Sequence, residues 1–320
     1  MKRWLILCFL TLIALFPLCV SDKEVKVNGE TNVTVTTENV LKIMDDTGYA
    51  VEIKKVPERI VSLAPSNTEI LFAIGAWKQV VGVTDYCNYP PEVLELRKAG
   101  KIQTVGGYTT VSIERVVALK PDLVLAAYGN GMETIERMRE LNLTVVGFDP
   151  KTISDVAERI IIIGKLTGHE EEAKKLVDEM TRKIEAVKKA VAGKERLKVV
   201  HIVWHDPIYV SGKNTFIDEL IEISGGKNVF DFDGWRVVSV ENLIAANPDV
   251  IIVSSGTGMG GGENVSYKWV INEPLLKNTN AVKNGRVYVV DADIISRPSY
   301  RLADAEVELS RLIHGVKIEN

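Results

Sequence analysis

Two stretches of this sequence decide the fold: GYTTVSIERVVALKPDLVLA, residues 107–126, and GWRVVSVENLIAANPDVIIV, residues 234–253. In each, glycine and an aromatic residue precede Val-Ser, a β-branched residue and Glu, and Pro-Asp then introduces an apolar run. The serine favours a helix start, and Pro-Asp ends the helix before a buried strand. The same helix-to-strand unit occurs twice, which predicts two similar α/β halves.

Apolar strands and helices alternate along most of the chain. Between residues 40 and 150, short β-branched runs are separated by helical segments, which is typical of a parallel sheet. One of these helices, SNTEILFAIGA at residues 66–76, is expected to begin with a capping box. In that motif the side chains of Ser66 and Glu69 satisfy free backbone amides of the first turn.

Residues 151–193 differ from both flanking regions. They contain two helical segments, and the second, at residues 169–193, carries apolar residues at helical spacing over roughly 35 Å. A helix of this length between two α/β halves predicts a strut. The expected organisation is therefore an N-terminal lobe at residues 40–150, bridging helices at 151–193 and a C-terminal lobe at 194–316.

The N-terminus indicates export. Two basic residues precede an apolar run, so residues 1–21 have the pattern of a signal peptide or an uncleaved anchor. Residues 22–39 are polar and predict a tether, and Cys19 is a candidate for lipid attachment. We expect an extracytoplasmic protein tethered to the outer face of the cytoplasmic membrane. Candidate glycosylation sequons are those of Asn32, Asn142 and Asn264.

Composition and charge exclude several classes of function. Hydrophobic residues make up 46% and charged residues 26%, the balance of a soluble protein. The net charge of −4 and the absence of basic stripes argue against nucleic acid as a partner. No catalytic residues and no metal site stand out, so we expect a protein that is not an enzyme. A Rossmann-like metallocluster enzyme would need several cysteines, whereas Cys87 is the only one beyond residue 21, expected to be half-buried.

The repeat carries a pair of aromatic residues and a pair of glutamates. Tyr108 and Trp235 occupy matching loop positions, where the carboxyl edge of a parallel sheet faces a ligand crevice. Together they predict a two-sided aromatic clamp for a large flat ligand. Glu114 and Glu241 follow the capping serines, and a helix-capping role alone explains them as well as a functional one.

At this point a family resemblance is visible in PERIVSLAPSNTEILFAIGA (residues 57–76), VVGVTDYCNYPPE (80–92) and SIERVVALKPDLVLA (112–126). These stretches resemble the helical-backbone solute-binding proteins of ABC importers, which serve cobalamin, ferric siderophores and haem. The resemblance implies two Rossmann-like lobes with parallel sheets joined by one long helix. It also implies that Glu114 and Glu241 dock to arginines of a permease dimer, which works with its ATPase subunits.

Within that family the sequence looks most like the cobalamin binders. Tyr86, Tyr108 and Trp235 stand at pocket aromatic positions, and Asp293 and Arg297 match an acidic–basic pair near the corrin side groups. The resemblance thus implies a monomer that binds a corrinoid as transported ligand, with no cofactor of its own.

Other residues keep the choice of ligand open. A further pocket tryptophan of the group is replaced here by Ala127, with Tyr128 beside it. Trp204 and His205 end a predicted strand and are candidate ligand contacts. Ferric-siderophore binders also use arginine and aromatic residues, so a ferric siderophore or haem is the alternative ligand.

Overall fold

The protein is described by a computed structural model that covers residues 40–255 and 264–318, together with the backbone of Val33–Val35. The predicted export segment at residues 1–21, most of the predicted tether, Cys19 and the sequon of Asn32 lie outside the described residues. None of the described helices is long and apolar enough to span a membrane.

Strands and helices alternate on both sides of a central helical region. The N-terminal strands are β1 (Val33–Val35), β2 (Leu41–Met44), β3 (Ala50–Ile53), β4 (Ile60–Ser62), β5 (Val80–Val83), β6 (Gln103–Thr104), β7 (Leu123–Ala127) and β8 (Val145–Phe148). The helices of this half are α1 (Pro65–Ala73), α2 (Pro91–Lys98), α3 (Ile113–Ala118) and α4 (Met132–Glu140). The central helices are α5 (Ile153–Thr167) and α6 (Glu170–Val191).

The C-terminal half has the same alternation. Its strands are β9 (Leu197–His205), β10 (Ile208–Ser211), β11 (Gly226–Asn228), β12 (Trp235–Val237), β13 (Val250–Ser255) and β14 (Val287–Asp291). Its helices are α7 (Phe216–Ile223), α8 (Val240–Ala246), α9 (Val265–Asn272), α10 (Asn280–Lys283), α11 (Ala292–Ile295) and α12 (Leu302–His314).

The N-terminal lobe is built on a parallel sheet with the strand order β6-β5-β4-β7-β8. A small antiparallel sheet of β1, β2 and β3 packs beside it. Asp45, at the turn of the β2–β3 hairpin, accepts hydrogen bonds from the amide of Gly147 at 2.7 Å and from Arg139 at 2.5 Å. The hairpin is therefore fixed to β8 by the hydrogen bond from Gly147 and to α4 by the buried ion pair with Arg139.

The C-terminal sheet has the order β12-β10-β9-β13-β14, with β11 also paired to β9. Strands β11, β9, β13 and β14 are parallel as predicted, whereas β10 and β12 run antiparallel to their neighbours. Only Asp206 and Pro207 separate β9 from β10, and a connection that short permits only antiparallel pairing. The sequence did not predict β10 and β12, which add an antiparallel edge to the predicted parallel strands β9, β13 and β14.

Helix α6 joins the two lobes. Its apolar stripe buries Met180, Ile184 and Val187 against α5 and α12. One hydrophobic core continues from the N-terminal sheet through these helices into the C-terminal lobe. The structure therefore confirms the predicted fold class, two Rossmann-like α/β lobes joined by a long helix.

Two local predictions were wrong. Helix α1 begins after Ala64, whose methyl group cannot cap it, and Glu69 instead turns away toward the other lobe. Cys87 is fully buried rather than half-buried, with its sulfur 3.1 Å from the hydroxyl of Thr68. The apolar surroundings raise the pKa of its thiol, so it stays protonated.

Two candidate glycosylation sites lie on the surface, and one histidine lies in the interior. Asn142 and Asn264 are exposed, and their glycosylation stays a prediction. His201 is fully buried in β9, and its Nε2 lies 2.7 Å from the hydroxyl of Ser254. Burial lowers the pKa of His201 to about 3, so its ring is neutral at physiological pH.

Glu306 in α12 generates a pH-dependence of stability. It is fully buried and accepts a hydrogen bond of 2.7 Å from Ser224. Burial raises the pKa of Glu306 well above its ordinary 4.5. The folded protein then binds more protons than the unfolded chain above that pH, so stability falls as the pH rises.

We expect Glu306→Gln to remove this loss. As the pH rises above the ordinary glutamate pKa of 4.5, the unfolding free energy of the variant should fall less steeply than that of wild type, because a neutral amide has no proton to lose. Urea titrations at several pH values measure it. Identical pH slopes in the two proteins would show that the Glu306 pKa is not raised.

Candidate functional site: the cleft between the lobes

A cavity of about 510 Å³ lies between the lobes, in the usual size range for small-molecule sites. Its N-terminal wall is formed by the segments that follow β4, β7 and β8, at the carboxyl edge of the parallel sheet. Its C-terminal wall is formed by α11, the residues after it and Phe216. The cleft is thus where open α/β sheets bind ligands.

Tyr108 is held in the N-terminal wall by a buried asparagine. The amide of Asn130 donates to the carbonyl oxygens of Tyr108 at 2.8 Å and Leu63 at 2.9 Å, and its oxygen accepts from Ala127 at 2.7 Å. A Cβ on Gly129 would lie 2.3 Å from the Tyr108 hydroxyl oxygen, so only glycine leaves room for the ring. The ends of β4 and β7 therefore determine where Tyr108 lies.

The three tyrosines of the cleft offer both aromatic surface and hydroxyl groups. Burial, and then the nearby charge of Asp149, raise the pKa of Tyr108. Tyr86 and Tyr128 lie at the rim and are each 54% exposed. A flat ligand entering the cleft would meet the apolar faces of these rings and their hydroxyl groups.

Asp293 and Arg297 form the ion pair that the sequence comparison indicated, with Arg297 Nη2 2.8 Å from Asp293 Oδ2. Both line the cavity from the C-terminal lobe. Asn88 of the N-terminal lobe bridges them, because its nitrogen donates to Asp293 at 2.9 Å and its oxygen accepts from Arg297 at 2.7 Å. The pair is thereby connected to both walls of the cleft.

Sequence reasoning missed the carboxylate behind this pair. Glu69 is completely buried and accepts hydrogen bonds from Arg297 at 2.9 Å, Arg301 at 3.3 Å and the Ser299 hydroxyl at 2.6 Å. The available signal was SRPSYR, residues 296–301, in which Arg301 follows Arg297 by four positions while the nearby Asp293 is already the partner of Arg297. If both arginines are buried, a carboxylate from elsewhere in the fold is needed to balance their charge.

Three of the predicted ligand contacts do not line this cavity. Trp204 and His205 end β9, and their ring centroids lie 4.8 Å apart. Trp235, in β12, stacks on Tyr209 with 6.1 Å between centroids and meets the edge of His201 at the same distance. The structure therefore brings five predicted residues together in the cleft and leaves three in the C-terminal sheet. The five are Tyr86, Tyr108, Tyr128, Asp293 and Arg297.

Glu114 and Glu241 lie in matching first turns of α3 and α8, and both are exposed. The capping serines are as predicted, since Ser112 and Ser239 accept from backbone amides of those turns. A hydrogen bond from its own backbone amide, and then one from Ser112, lower the pKa of Glu114. The Ser239 hydroxyl is the main cause that lowers the pKa of Glu241. Both glutamates present a negative charge to solvent.

In residues 40–255 and 264–318, no cluster of three or more histidine, cysteine, aspartate or glutamate side chains could hold a metal ion. Two α/β lobes joined by a long helix, with an aromatic cleft between them, are the architecture of a protein that binds a small ligand.

The chain belongs to the family described as periplasmic binding protein, whose pattern matches residues 60–294. It is 35% identical over 302 residues to an uncharacterized ABC transporter substrate-binding lipoprotein of Bacillus subtilis, covering 92% of this chain and 90% of that one. It is 28% identical over 251 residues to a vitamin B12-binding protein of Vibrio cholerae, covering 78% of this chain and 86% of that one.

Solved structures agree with this membership. A possible iron-binding periplasmic protein of Staphylococcus epidermidis superposes with a TM-score of 0.70 at 32% identity, over 81% of this chain and all of that one. A periplasmic heme-binding protein of Roseiflexus superposes with a TM-score of 0.70 at 26% identity, over 81% of this chain and 98% of that one. The protein is a periplasmic solute-binding protein of the ABC-importer type, a family that serves transport and not catalysis. The resemblance inferred from the sequence is confirmed.

Proposed function

We propose that the protein binds a corrinoid in the cleft between its lobes and delivers it to the permease dimer and ATPase subunits of an ABC importer. The observation that carries this proposal is the charge balance of the cleft. Among the described residues, each arginine that lines the cavity is already paired with a carboxylate of the chain itself. Such a cleft favours a ligand whose polar groups are neutral.

The pairing is seen at both ends of the cavity. Arg159, in α5, forms an ion pair with Asp46, and both side chains are largely buried. Arg297 is paired with Glu69 and Asp293. A corrinoid carries uncharged amides around its macrocycle, and these can donate to the free carboxylate oxygen of Asp293. Haem and catecholate siderophores carry several negative charges, for which the cleft offers no unpaired arginine in the part of the chain that the structure describes.

The size of the cavity limits how much of a corrinoid it could enclose. A corrinoid is larger than the cavity, so part of it would extend past the rim. We infer that its macrocycle lies against the three cleft tyrosines and that its outer part meets the aromatic residues of the C-terminal sheet. The proposed ligand contacts are Tyr86, Tyr108, Tyr128, Trp204, His205, Trp235, Asp293 and Arg297.

A ferric siderophore or haem is the second candidate. The observation in its favour is the presence of three tyrosine hydroxyls at one cavity, since phenolate oxygen is a known ligand of haem iron. The similarity to a possible iron-binding protein points the same way.

Calorimetric titrations with cyanocobalamin, dicyanocobinamide, haem and a ferric catecholate test the assignment. We expect micromolar or tighter binding of the corrinoids, weakened more than about fivefold by Tyr108→Ala because an aromatic anchor is lost. Tyr49→Ala, which removes an exposed tyrosine outside the cavity, is the control. Tight binding of haem or the iron chelate, with no heat from either corrinoid, would contradict the proposal.

We propose further that residues 1–21 export the protein and that it acts as a monomer at the outer face of the cytoplasmic membrane. The similarity to a lipoprotein supports a membrane attachment, for which Cys19 is the candidate. In this position Glu114 and Glu241 would present equivalent charges on the two lobes to a two-fold permease.

We expect Glu114→Arg combined with Glu241→Arg to leave ligand affinity unchanged and to reduce transport by more than about tenfold, because like charges would face each other at the docking surface. Uptake by proteoliposomes containing the cognate importer measures the loss. Glu172→Arg with Glu179→Arg, two exposed positions of α6, makes the same charge change elsewhere. Wild-type uptake with the first pair would show that these glutamates only cap helices.

A further inference from the structure

The carboxylate of Glu69 lies at the boundary between the lobes, and its hydrogen-bond donors come from the opposite lobe. One oxygen accepts from Arg297 and Arg301, and the other accepts from the hydroxyl of Ser299. Its side chain has no exposed surface. A carboxylate in such surroundings is stable only while these donors remain in place.

The N-terminal lobe also fixes the two arginines from other directions. Arg297 Nη1 donates to both Glu69 and Asn88, and its Nη2 reaches the carbonyl oxygen of Tyr86 at 3.4 Å. The guanidinium of Arg301 lies 3.8 Å from the ring centroid of Tyr89. Both terminal nitrogens of Arg297 are therefore engaged by the protein, so a ligand would meet this residue mainly at the face of its guanidinium group.

The same contacts determine which carboxylate oxygen of Asp293 is left without a partner in the described part of the chain. Its Oδ2 is engaged by Arg297 and by the amide nitrogen of Asn88. Its Oδ1 has no hydrogen-bond donor among residues 40–255 and 264–318, although Asp293 lines the cavity. Oδ1 is thus the acceptor left for a ligand.

We propose that Glu69 and Asn88 are positioning residues, which hold the Asp293–Arg297 pair of the opposite lobe so that Asp293 Oδ1 accepts from the ligand. The inference rests on the proposed corrinoid site. Four charges are balanced in this cluster, two carboxylates against two guanidinium groups. When Glu69 is neutralised, one buried positive charge is in excess, and the arginines compete for Asp293. Its ligand-facing oxygen is then occupied by the protein.

A comparison of two corrinoids tests this step directly. Dicyanocobinamide has peripheral amides that donate hydrogen bonds, whereas heptamethyl dicyanocobyrinate has esters that cannot. Wild-type protein should prefer the amide, and Glu69→Gln should weaken its binding at least about tenfold, the loss expected for a charged hydrogen bond. The ester makes no hydrogen bond to Asp293, so Glu69→Gln should weaken its binding much less. Asn88→Ala should reduce the preference in the same direction.

Two further variants separate positioning from general damage. Glu306→Gln removes an equally buried carboxyl from the C-terminal lobe and should leave both affinities unchanged. Glu69→Gln with Arg301→Gln restores the charge balance, and it should bring amide-corrinoid binding back to within about fivefold of wild type. Equal weakening of both corrinoids, or no recovery in the double variant, would overturn the proposal.

Hydrogen exchange on the ligand-free protein keeps this inference separate from the corrinoid assignment. The backbone amides of residues 296–301 should exchange faster in Glu69→Gln than in wild type. In Glu306→Gln, their exchange rates should be the same as in wild type. If wild type binds neither corrinoid, the corrinoid assignment fails, and exchange alone decides the positioning role. Unchanged exchange at residues 296–301 in Glu69→Gln would overturn it, whichever ligand the protein carries.

Discussion

A carboxylate that cannot reach water is the constraint on which the arrangement of this molecule depends. Glu69 comes from the first helix of the N-terminal lobe, and Arg297, Ser299 and Arg301 come from the last segment of the C-terminal lobe. Opening the lobes would leave the carboxylate without its partners before solvent could replace them, at a cost of several kcal/mol. The ionic cluster thus links the lobes at the cleft, and the continuous hydrophobic core around α6 links them behind it.

This closure explains why the cleft has its particular chemistry. The same segments that carry the cluster also form the two walls, so the charges of the walls are neutralised within the protein. The groups that a ligand would meet include aromatic surface, tyrosine hydroxyls and the carboxylates of Asp149 and Asp293. An uncharged, amide-rich macrocycle matches these groups better than a polyanion, because each arginine would have to give up a buried partner to bind an anion.

Much of the fold could be predicted because it is encoded locally. The repeat at residues 107–126 and 234–253 contains the capping serines, the helix ends and the strands within short windows, and the structure shows them where the pattern places them. The role of Glu69 could not be predicted in this way. Ser66 and Glu69 have the spacing of a capping box, and only the tertiary fold brings the arginines, about 230 positions away, to that carboxylate.

The site was predictable to a similar extent. Tyr108 lies in the cleft because its loop follows the carboxyl edge of a parallel sheet. Its counterpart Trp235 belongs to a strand that pairs antiparallel with β10, and there it stacks on Tyr209. That difference arises because two residues connect β9 to β10, and the repeat pattern gives no information about a turn outside it.

The visible absorption spectrum of the protein purified from its native organism tests the central claim most directly. Because the charges of the cleft are balanced within the protein, the protein should carry a corrinoid and show the absorption bands of the cobalt macrocycle. A haem Soret band, or the charge-transfer band of a ferric siderophore, would contradict the account.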